Sequence, residues 1–254
     1  MTEIQAVILG VIEGFTEFLP ISSTAHLILA SDVLRITQSD YVKSFEIIIQ
    51  LGAVLAVVWL YWKDLVKIEI LKKLLVAFLP TGILGFLFYK AVKNYLLGNI
   101  SVVLWSLAVG GIFLILLEKF LRGTKQETLD MNAISYRQCL ALGLFQSVAM
   151  IPGVSRSAAT IVGGLLMGIP RKTIVEFSFL LAVPTMAAAT GLDLLKSAGA
   201  WNADQAGVLL LGFVVSFITA VLAVKWLLRY IARHTFTSFG IYRLLLVLIF
   251  LLHG

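Results

Sequence analysis

The chain has 254 residues, of which 60% are hydrophobic and 13% are charged, and its mean hydropathy is +0.99. A soluble domain has about 25% charged residues, and one soluble fold of this length cannot hide so much apolar surface. The composition therefore excludes an ordinary soluble protein and predicts an integral membrane protein. The net charge of +6 is then expected from Lys and Arg in cytoplasmic loops, and no nucleic-acid partner is expected.

The first predicted element is an apolar region, residues 3–34, that is broken at the sequence LPISS. Pro20 removes a backbone donor and disfavours helix in the residue before it, so we expect two half-helices around a polar turn. A second region, residues 135–168, is broken at IPGVSRS, with Pro152 at the break. Non-helical backbone is tolerated at membrane depth only where it is buried in protein or lines a watery cavity. Each region is therefore predicted to be a re-entrant helical hairpin.

Six further stretches are predicted to be transmembrane helices, since a helix needs about 20 apolar residues to cross the bilayer. Three of them follow each hairpin. The six stretches are residues 42–62, 74–93, 100–120, 174–195, 205–228 and 238–253.

The two halves of the chain resemble each other. The segment LGVIEGFTEFLPISS (residues 9–23) is similar to LGLFQSVAMIPGVSRS (residues 142–157), and FEIIIQL (45–51) is similar to VEFSFLL (175–181). Because three spans per half is an odd number, the second half must lie upside down relative to the first. The functional site of such an inverted repeat is expected near the membrane midplane, between the halves.

The predicted fold class is therefore an all-α integral membrane protein with an inverted-topology repeat, six transmembrane helices and two re-entrant helical hairpins. It forms a single membrane domain over residues 1–254. The first repeat covers residues 1–125, with its hairpin at 3–34, and the second, inverted repeat covers residues 131–254, with its hairpin at 135–168.

Loop charges orient this domain by the positive-inside rule. Twelve Lys and Arg residues fall on one predicted side and five on the other, which makes the first side cytoplasmic and places both termini in the periplasm. The first fifteen residues carry an acid instead of a basic n-region, so no removable signal peptide is expected. The twelve are Lys63, Lys67, Lys72, Lys73, Lys119, Arg122, Lys125, Arg137, Arg171, Lys172, Arg229 and Arg233, and the five are Arg35, Lys43, Lys90, Lys93 and Lys196.

Two carboxylates lie in the first hairpin, where an ionisable group is costly and a function is the default hypothesis. Glu13 and Glu17 are four residues apart and hence on one helix face. Two carboxylates at such a short distance repel each other unless a cation or a proton lies between them. They are candidates for a divalent-metal site or a general acid/base pair. The alternative is that they only flank an aqueous vestibule, or that one is protonated and hydrogen-bonded.

Ser22, Ser23 and Thr24 follow the break, and His26 comes three residues after Ser23. On one helical turn the Ser23 hydroxyl and the His26 imidazole can approach, which is the spacing of a base-activated nucleophile. Such hydroxyls also cap helix starts, and for Ser22 capping and chemistry are equal alternatives. A lone His in a helix is more often structural, but this one shares a turn with hydroxyls and follows two acids.

The second hairpin offers an anion site at PGVSRSAAT, residues 152–160. Gly153 allows close backbone approach, and the following helix presents free N–H groups and a positive dipole end. Arg156, between Ser155 and Ser157, adds a planar fork of donors suited to phosphate oxygens. The alternative is that Arg156 neutralises one of the two glutamates. Arg156 can have both roles, binding phosphate and neutralising a glutamate, if the ion pair opens when substrate arrives.

The segments EGFTEFLPISSTAHL and PGVSRSAAT closely resemble the two signature segments of the undecaprenyl-diphosphate phosphatases of the bacitracin-resistance (BacA-type) family. The resemblance covers nearly the whole chain. It implies hydrolysis of undecaprenyl diphosphate on the periplasmic side of the bacterial inner membrane, which recycles the lipid carrier for peptidoglycan synthesis and confers bacitracin resistance. It also implies dependence on a divalent cation (magnesium or calcium) and a homodimer.

Residue by residue, the resemblance implies that Glu13 and Glu17 bind the metal. It also implies that Ser23 and His26 are the hydroxyl and imidazole residues of the family's first signature segment. Whether serine, histidine or water attacks the phosphorus stays open. A lipid-phosphate flippase or anion transporter without hydrolysis is the alternative function, because inverted repeats with broken helices are a transporter architecture. The expected catalytic residues are Ser23, His26, Glu17 and Arg156, and the expected substrate-binding residues are Ser22, Thr24, Gly153, Ser155, Arg156 and Ser157.

Overall fold

The structure is a computed structural model that describes residues 1–37, 39–96, 99–121, 129–196 and 206–253. Within these ranges it contains ten α-helices and no strand, which confirms the predicted all-α class. The helices are α1 (Glu3–Thr16), α2 (Ser23–Val33), α3 (Asp40–Leu65), α4 (Ile68–Ala91), α5 (Ile100–Phe120), α6 (Tyr136–Ser147), α7 (Arg156–Leu166), α8 (Arg171–Lys196), α9 (Ala206–Ile231) and α10 (Thr237–His253).

Five of the six predicted spans are helices long and apolar enough to cross a membrane, namely α3, α4, α5, α8 and α9, with mean hydropathies between 1.5 and 2.6. The sixth, α10, has 17 residues, fewer than the roughly 20 of a typical span. Helix α4 begins at Ile68, six residues before its predicted start at residue 74. Its first two turns carry Glu69, Lys72 and Lys73. Because of these charges, a prediction based on the length of the apolar stretch placed the start of the helix too late.

Each of the two interrupted apolar regions contains two helices, α1 with α2 and α6 with α7, and the breaks fall at the predicted polar sequences. A 3-10 turn, Val148–Met150, extends α6 into the second break. Helix α2 restarts after Ser22 and α7 restarts after Ser155, and these two serines have φ angles of 72° and 75°. Residues other than glycine seldom adopt this left-handed region, so both breaks use the same uncommon local geometry.

Helices from the two halves of the chain interleave. Helix α1 packs against α9, and α6 packs against α4; likewise α3 contacts α9 and α8 contacts α4. Glycines permit the close approach at these crossings. A Cβ on Gly10 would lie 2.8 Å from the carbonyl oxygen of Gly212, and one on Gly143 would lie 2.2 Å from that of Ala77. Gly10 and Gly143 are the glycines of the two aligned Leu-Gly pairs, so the sequence repeat coincides with a packing feature.

Polar bonds join several helix ends at one end of the bundle. The buried Glu118, near the end of α5, binds Arg171 at the start of α8 and accepts from the backbone N–H of Phe236, just before α10. The Tyr136 hydroxyl at the start of α6 donates to Glu69 in the first turn of α4 at 3.2 Å.

Many residues of the predicted cytoplasmic side lie at this end. Arg122, Lys125, and with them the predicted boundary of the first repeat at residue 125, lie outside the described residues, as does residue 205 at the start of one predicted span.

Replacing Gly14 by Val should destabilise the contact between α1 and α9. A Cβ on Gly14 would lie 2.3 Å from the carbonyl oxygen of Ser216, and overpacking of this kind costs about 1–3 kcal/mol. We expect a lower melting temperature in detergent, measured by thermal unfolding. Gly191→Ala is the control, because no atom lies within 4 Å of a Cβ there, and it should melt no lower than the unmodified protein. Equal melting temperatures of Gly14→Val and the unmodified protein would contradict the close contact between α1 and α9 at Gly14.

Candidate active site

The two polar turns meet at one carboxylate, that of Glu17. Its Oε2 accepts a hydrogen bond from Ser23 Oγ at 2.5 Å. Its Oε1 accepts from Nε and Nη2 of Arg156, at 3.4 and 3.2 Å. The two charged side chains are 5% and 10% exposed, so little water screens their attraction. An acid and a hydroxyl from the first half of the chain and an arginine from the second therefore form one cluster.

Further hydrogen bonds hold this cluster in place. Ser157 Oγ donates to the backbone carbonyl of Leu19 at 2.8 Å, which ties the second turn directly to the first. Arg156 Nη1 donates to the carbonyl of Ser178 in α8 at 2.9 Å. Ser155 Oγ and Ser157 Oγ lie 3.1 Å apart. The guanidinium is thus fixed from one side by α8 and from the other by Glu17.

Ser22 and Ser155 cap the helices that follow them. Ser22 Oγ accepts from the backbone N–H of Ala25 at 3.4 Å, and Ser155 Oγ accepts from that of Ala158 at 3.2 Å. Such caps satisfy backbone donors that a helix start leaves open. The structure thus provides the capping role that was one of the two alternatives for Ser22. Both serines also line the cavity beside the cluster.

His26 is held by groups other than Ser23. Its Nδ1 lies 2.7 Å from the carbonyl oxygen of Ser22, and because a carbonyl only accepts hydrogen bonds, Nδ1 carries the proton. Its Nε2 is then free to accept from the hydroxyl of Tyr242 at 2.8 Å. The hydrogen bond between the Ser23 hydroxyl and the His26 imidazole that the spacing allowed is therefore not formed, because Ser23 donates to Glu17, six residues earlier in the chain. Tyr242, 216 residues away in the chain, has no signal in the sequence that would have linked it to His26.

Glu13 is fully buried, and no hydrogen-bond donor within the described residues reaches either of its carboxylate oxygens. It interacts electrostatically with Glu17, Glu46 and Arg156. A buried carboxylate without donors needs a cation or a proton, and the pair of Glu13 and Glu17 is compatible with a divalent cation and equally with a proton on one carboxylate. The described residues contain no cluster of three or more His, Cys, Asp or Glu side chains able to hold a metal. Two carboxylates completed by phosphate oxygens are a common arrangement for magnesium.

A cavity of about 560 Å³ opens beside the cluster. One end is polar and is formed by the two turns, and the remaining wall is mostly apolar and comes largely from α4 and α8. Glu13, His26 and Ser157 do not line it. The predicted site residues that do are Glu17, Ser22, Ser23, Thr24, Gly153, Ser155 and Arg156. The apolar wall includes Phe78, Gly82, Gly85, Phe86, Met186, Ala188 and Ala189.

A polar group that the sequence interpretation passed over lies on the same wall. Gln146 Nε2 donates to the hydroxyls of Thr81 at 3.0 Å and Thr185 at 3.1 Å. Gln146 occupies the position that matches Glu13 in the aligned repeat. The second half of the chain therefore has a neutral amide, hydrogen-bonded to threonines of α4 and α8, where the first half has the carboxylate of Glu13.

The similarity to the BacA-type family that the two signature segments indicate extends over nearly the whole chain. The family described as "Bacitracin resistance protein BacA" matches residues 6–249. This chain belongs to the BacA family.

The similarity of this BacA-family chain to individual relatives is also high. A protein named "Undecaprenyl-diphosphatase" from Aquifex aeolicus (strain VF5) is 52% identical over 251 residues, which cover 98% of each chain. Relatives of the same name from Sulfurihydrogenibium sp. (strain YO3AOP1) and Persephonella marina (strain DSM 14350 / EX-H1) are each 50% identical, over 252 and 250 residues, covering 99% and 98% of both chains. Relatives of this likeness span the same length as the present chain, so both turns of the site lie within the shared region.

The backbone at Ser22 predicts an unusual order of stability among variants. Ser22→Ala should lower the free energy of unfolding by about 1 kcal/mol, because it loses the cap while the φ angle stays at 72°. Ser22→Gly should cost only a few tenths of this, since glycine adopts positive φ freely. Thermal unfolding of purified variants measures the difference.

Ser135 is the matched control, because it caps α6 from an extended conformation with φ of −73°. The gap in stability between the Ala and Gly variants should be larger at Ser22 than at Ser135. A gap of the same size at both positions would show that the positive φ carries no strain.

Proposed function

We propose that this BacA-family chain hydrolyses undecaprenyl diphosphate to undecaprenyl phosphate and inorganic phosphate. The observation that carries the proposal is the Glu17 carboxylate, which binds Ser23 on one oxygen and Arg156 on the other at the polar end of the cavity. The apolar wall suits a prenyl chain and the polar end suits a diphosphate. The names of the relatives support the choice of substrate.

Ser23 is the proposed nucleophile. Its Oγ bonds to the terminal phosphorus while its proton passes to Glu17 Oε2, and the bond between that phosphorus and the bridging oxygen breaks. Undecaprenyl phosphate leaves, and water then hydrolyses the phosphoserine to release inorganic phosphate and restore the hydroxyl. The distance of 2.5 Å between Ser23 Oγ and Glu17 supports the proton transfer, because a general base must lie within hydrogen-bond reach.

Arg156 is proposed to bind the phosphate oxygens. Its guanidinium already lines the cavity and holds Glu17, and its fork of donors suits phosphate in the same way. Phosphoryl transfer depends mainly on positioning and charge neutralisation, and Arg156 supplies both. Glu13 and Glu17 would hold a divalent cation, magnesium or calcium, which when bound supplies further neutralisation of phosphate charge.

His26 is proposed to orient the first turn instead of attacking phosphorus. Both of its ring nitrogens have hydrogen-bond partners, the Ser22 carbonyl and the Tyr242 hydroxyl, and it does not line the cavity. These contacts favour Ser23 over His26 as nucleophile. Direct attack by water would leave the short hydrogen bond between Ser23 and Glu17 without a chemical role.

The remaining proposals concern architecture and setting. We propose two inverted repeats, 1–125 and 131–254, each with a re-entrant hairpin and three spans, in the inner membrane of a bacterium. The paired contacts of α1 with α9 and α6 with α4 support this symmetry. The site would open to the periplasm, with both termini on that side, and the protein would form a homodimer and confer bacitracin resistance.

Phosphate release by protein purified in detergent tests the activity. The unmodified protein should release inorganic phosphate from undecaprenyl diphosphate. Ser23→Ala, Glu17→Ala, His26→Ala and Arg156→Ala should each lower turnover at least about a hundredfold, the usual scale for the loss of a catalytic or positioning group. The control is Ser101→Ala, at an exposed serine of α5, which should retain full turnover.

Absence of phosphate release from correctly folded protein would favour the flippase or transporter alternative. Full activity of Arg156→Ala would remove the phosphate-binding role. Full activity of Ser23→Ala would replace serine by water or histidine as nucleophile.

Gly85 offers a test of the prenyl path. It lines the cavity, and a Cβ there meets only Met150, at 4.0 Å, so a larger side chain can occupy the space assigned to the lipid tail. Gly85→Leu should raise KM for undecaprenyl diphosphate about tenfold, in the range of effects seen for apolar pockets, and should raise it less for a short prenyl diphosphate. Gly191→Leu is the control, because Gly191 is on α8 but is not among the residues that line the cavity. An equal effect of Gly85→Leu on both substrates would contradict this path.

A further inference from the structure

Arg243, on α10, is fully buried, and its guanidinium donates hydrogen bonds to four backbone carbonyls. Nε donates to Leu107 at 3.1 Å, Nη2 to Ser106 at 2.9 Å and to Gly153 at 2.8 Å, and Nη1 to Val154 at 3.2 Å. Within the part of the chain that the structure describes, its hydrogen-bond partners are thus carbonyl dipoles and include no carboxylate. A buried cation is costly even when it is well hydrogen-bonded, so its position calls for an explanation.

Two of these carbonyls belong to the turn that leads into α7. A peptide unit is planar and trans, so its carbonyl and its N–H point in opposite directions. The bonds to the carbonyls of Gly153 and Val154 therefore turn the N–H groups of Val154 and Ser155, respectively, away from Arg243. Ser155 and Arg156, which follow these two peptide units directly, line the cavity. Arg243 thus sets the orientation of the backbone from which the phosphate-binding arginine projects.

Glycines make room for this arrangement. A Cβ on Gly110 would lie 2.5 Å from Nη2 and 2.7 Å from Cζ of Arg243. Gly153 has a φ of 93°, and a Cβ there would lie 2.6 Å from the carbonyl oxygen of Val103. The turn, α5 and the guanidinium therefore fit together with little freedom to shift.

The preceding residue, Tyr242, reaches the other turn. Its hydroxyl lies 2.8 Å from His26 Nε2, and the two rings are stacked with centroids 5.5 Å apart and planes inclined by 3°. His26 Nδ1 in turn donates to the carbonyl of Ser22. Ser22 is the residue with φ of 72° immediately before Ser23. Tyr242 therefore acts on the nucleophile's turn through His26.

We propose that Tyr242 and Arg243, together named the α10 brace, are positioning residues that hold the two turns of the site in register. Neither of them lines the cavity, so neither touches substrate there. Tyr242 acts through His26 on the turn that carries Ser23, and Arg243 acts through the carbonyls of residues 153 and 154 on the turn that carries Arg156. The assignment rests on the proposed phosphatase activity where it concerns turnover.

Conservative variants with matched controls separate positioning from general stability. Arg243→Lys keeps the charge but loses the fork, and Tyr242→Phe loses only the hydroxyl. The control for the first is Arg171→Lys, which weakens the bond to Glu118 away from the site. The control for the second is Tyr230→Phe, which removes the hydroxyl bonded to Ser238 Oγ at 2.7 Å.

Turnover and KM for undecaprenyl diphosphate are measured for all four variants, each normalised to the folded fraction. Small displacements of reacting groups slow chemistry strongly, so Arg243→Lys should lower kcat by about tenfold or more and Tyr242→Phe by about threefold or more, with KM changed less than about threefold. The controls should keep kcat within about twofold even where their melting temperatures fall. Equal losses of kcat in the variants and their controls would overturn the α10 brace.

Hydrogen exchange followed by mass spectrometry supplies a readout that does not need activity. Arg243→Lys should speed exchange in the segment 150–158, and Tyr242→Phe should speed it in the segment 18–26, while the controls leave both segments unchanged. Unchanged exchange in both segments would overturn the brace even if phosphate is released normally. If the unmodified protein releases no phosphate, the proposed function fails while the exchange experiment still decides whether the brace holds the turns.

Discussion

The structure depends on the sharing of one buried carboxylate between the two halves of the chain. Glu17 binds Ser23 from its own half and Arg156 from the other half. In an apolar surrounding an unpaired acid or guanidinium is expensive, so each half leaves a costly charge until the other docks. The interleaved packing of α1 on α9 and α6 on α4 brings the two turns to the same place. The contacts that join the two halves therefore also bring the residues of the candidate site together.

The local geometry of the turns follows from what the site needs. At the start of α2 and α7 the chain requires positive φ, which glycine would adopt without strain, yet serine occupies both positions. A glycine would supply neither the hydroxyl that caps the helix nor a polar group on the cavity wall. Backbone strain of this kind tends to be kept where the surrounding structure enforces it and function uses it. Ser157, which binds the carbonyl of Leu19, is one of the contacts that enforce it.

The sequence was sufficient for the parts of the fold and site that depend on local pattern. Helix-forming apolar runs, the two breaks and the polar residues Glu17, Ser23 and Arg156 are visible as departures from hydrophobicity over short distances. Contacts between distant segments were not predictable in the same way. Tyr242 and Arg243 stand in an ordinary apolar helix, and only tertiary packing brings them to residues 26 and 153. The spacing of Ser23 and His26 allowed a hydrogen bond, but Ser23 donates to the carboxylate of Glu17, six residues earlier, and His26 donates to the backbone carbonyl of Ser22.

The ion pair of Glu17 with Arg156 gives the proposed reaction an order of events. While the guanidinium binds Oε1 of Glu17, its Nε and Nη2 donors are occupied by the carboxylate. A diphosphate entering the polar end competes for the same guanidinium donors, and as Arg156 turns to phosphate oxygens it releases the carboxylate. In the proposed reaction Glu17 Oε2 keeps its contact with Ser23 Oγ while the phosphorus comes within reach. The proposed reaction thus links phosphate binding by Arg156 in one half of the molecule to Ser23 in the other half through the single carboxylate that contacts both.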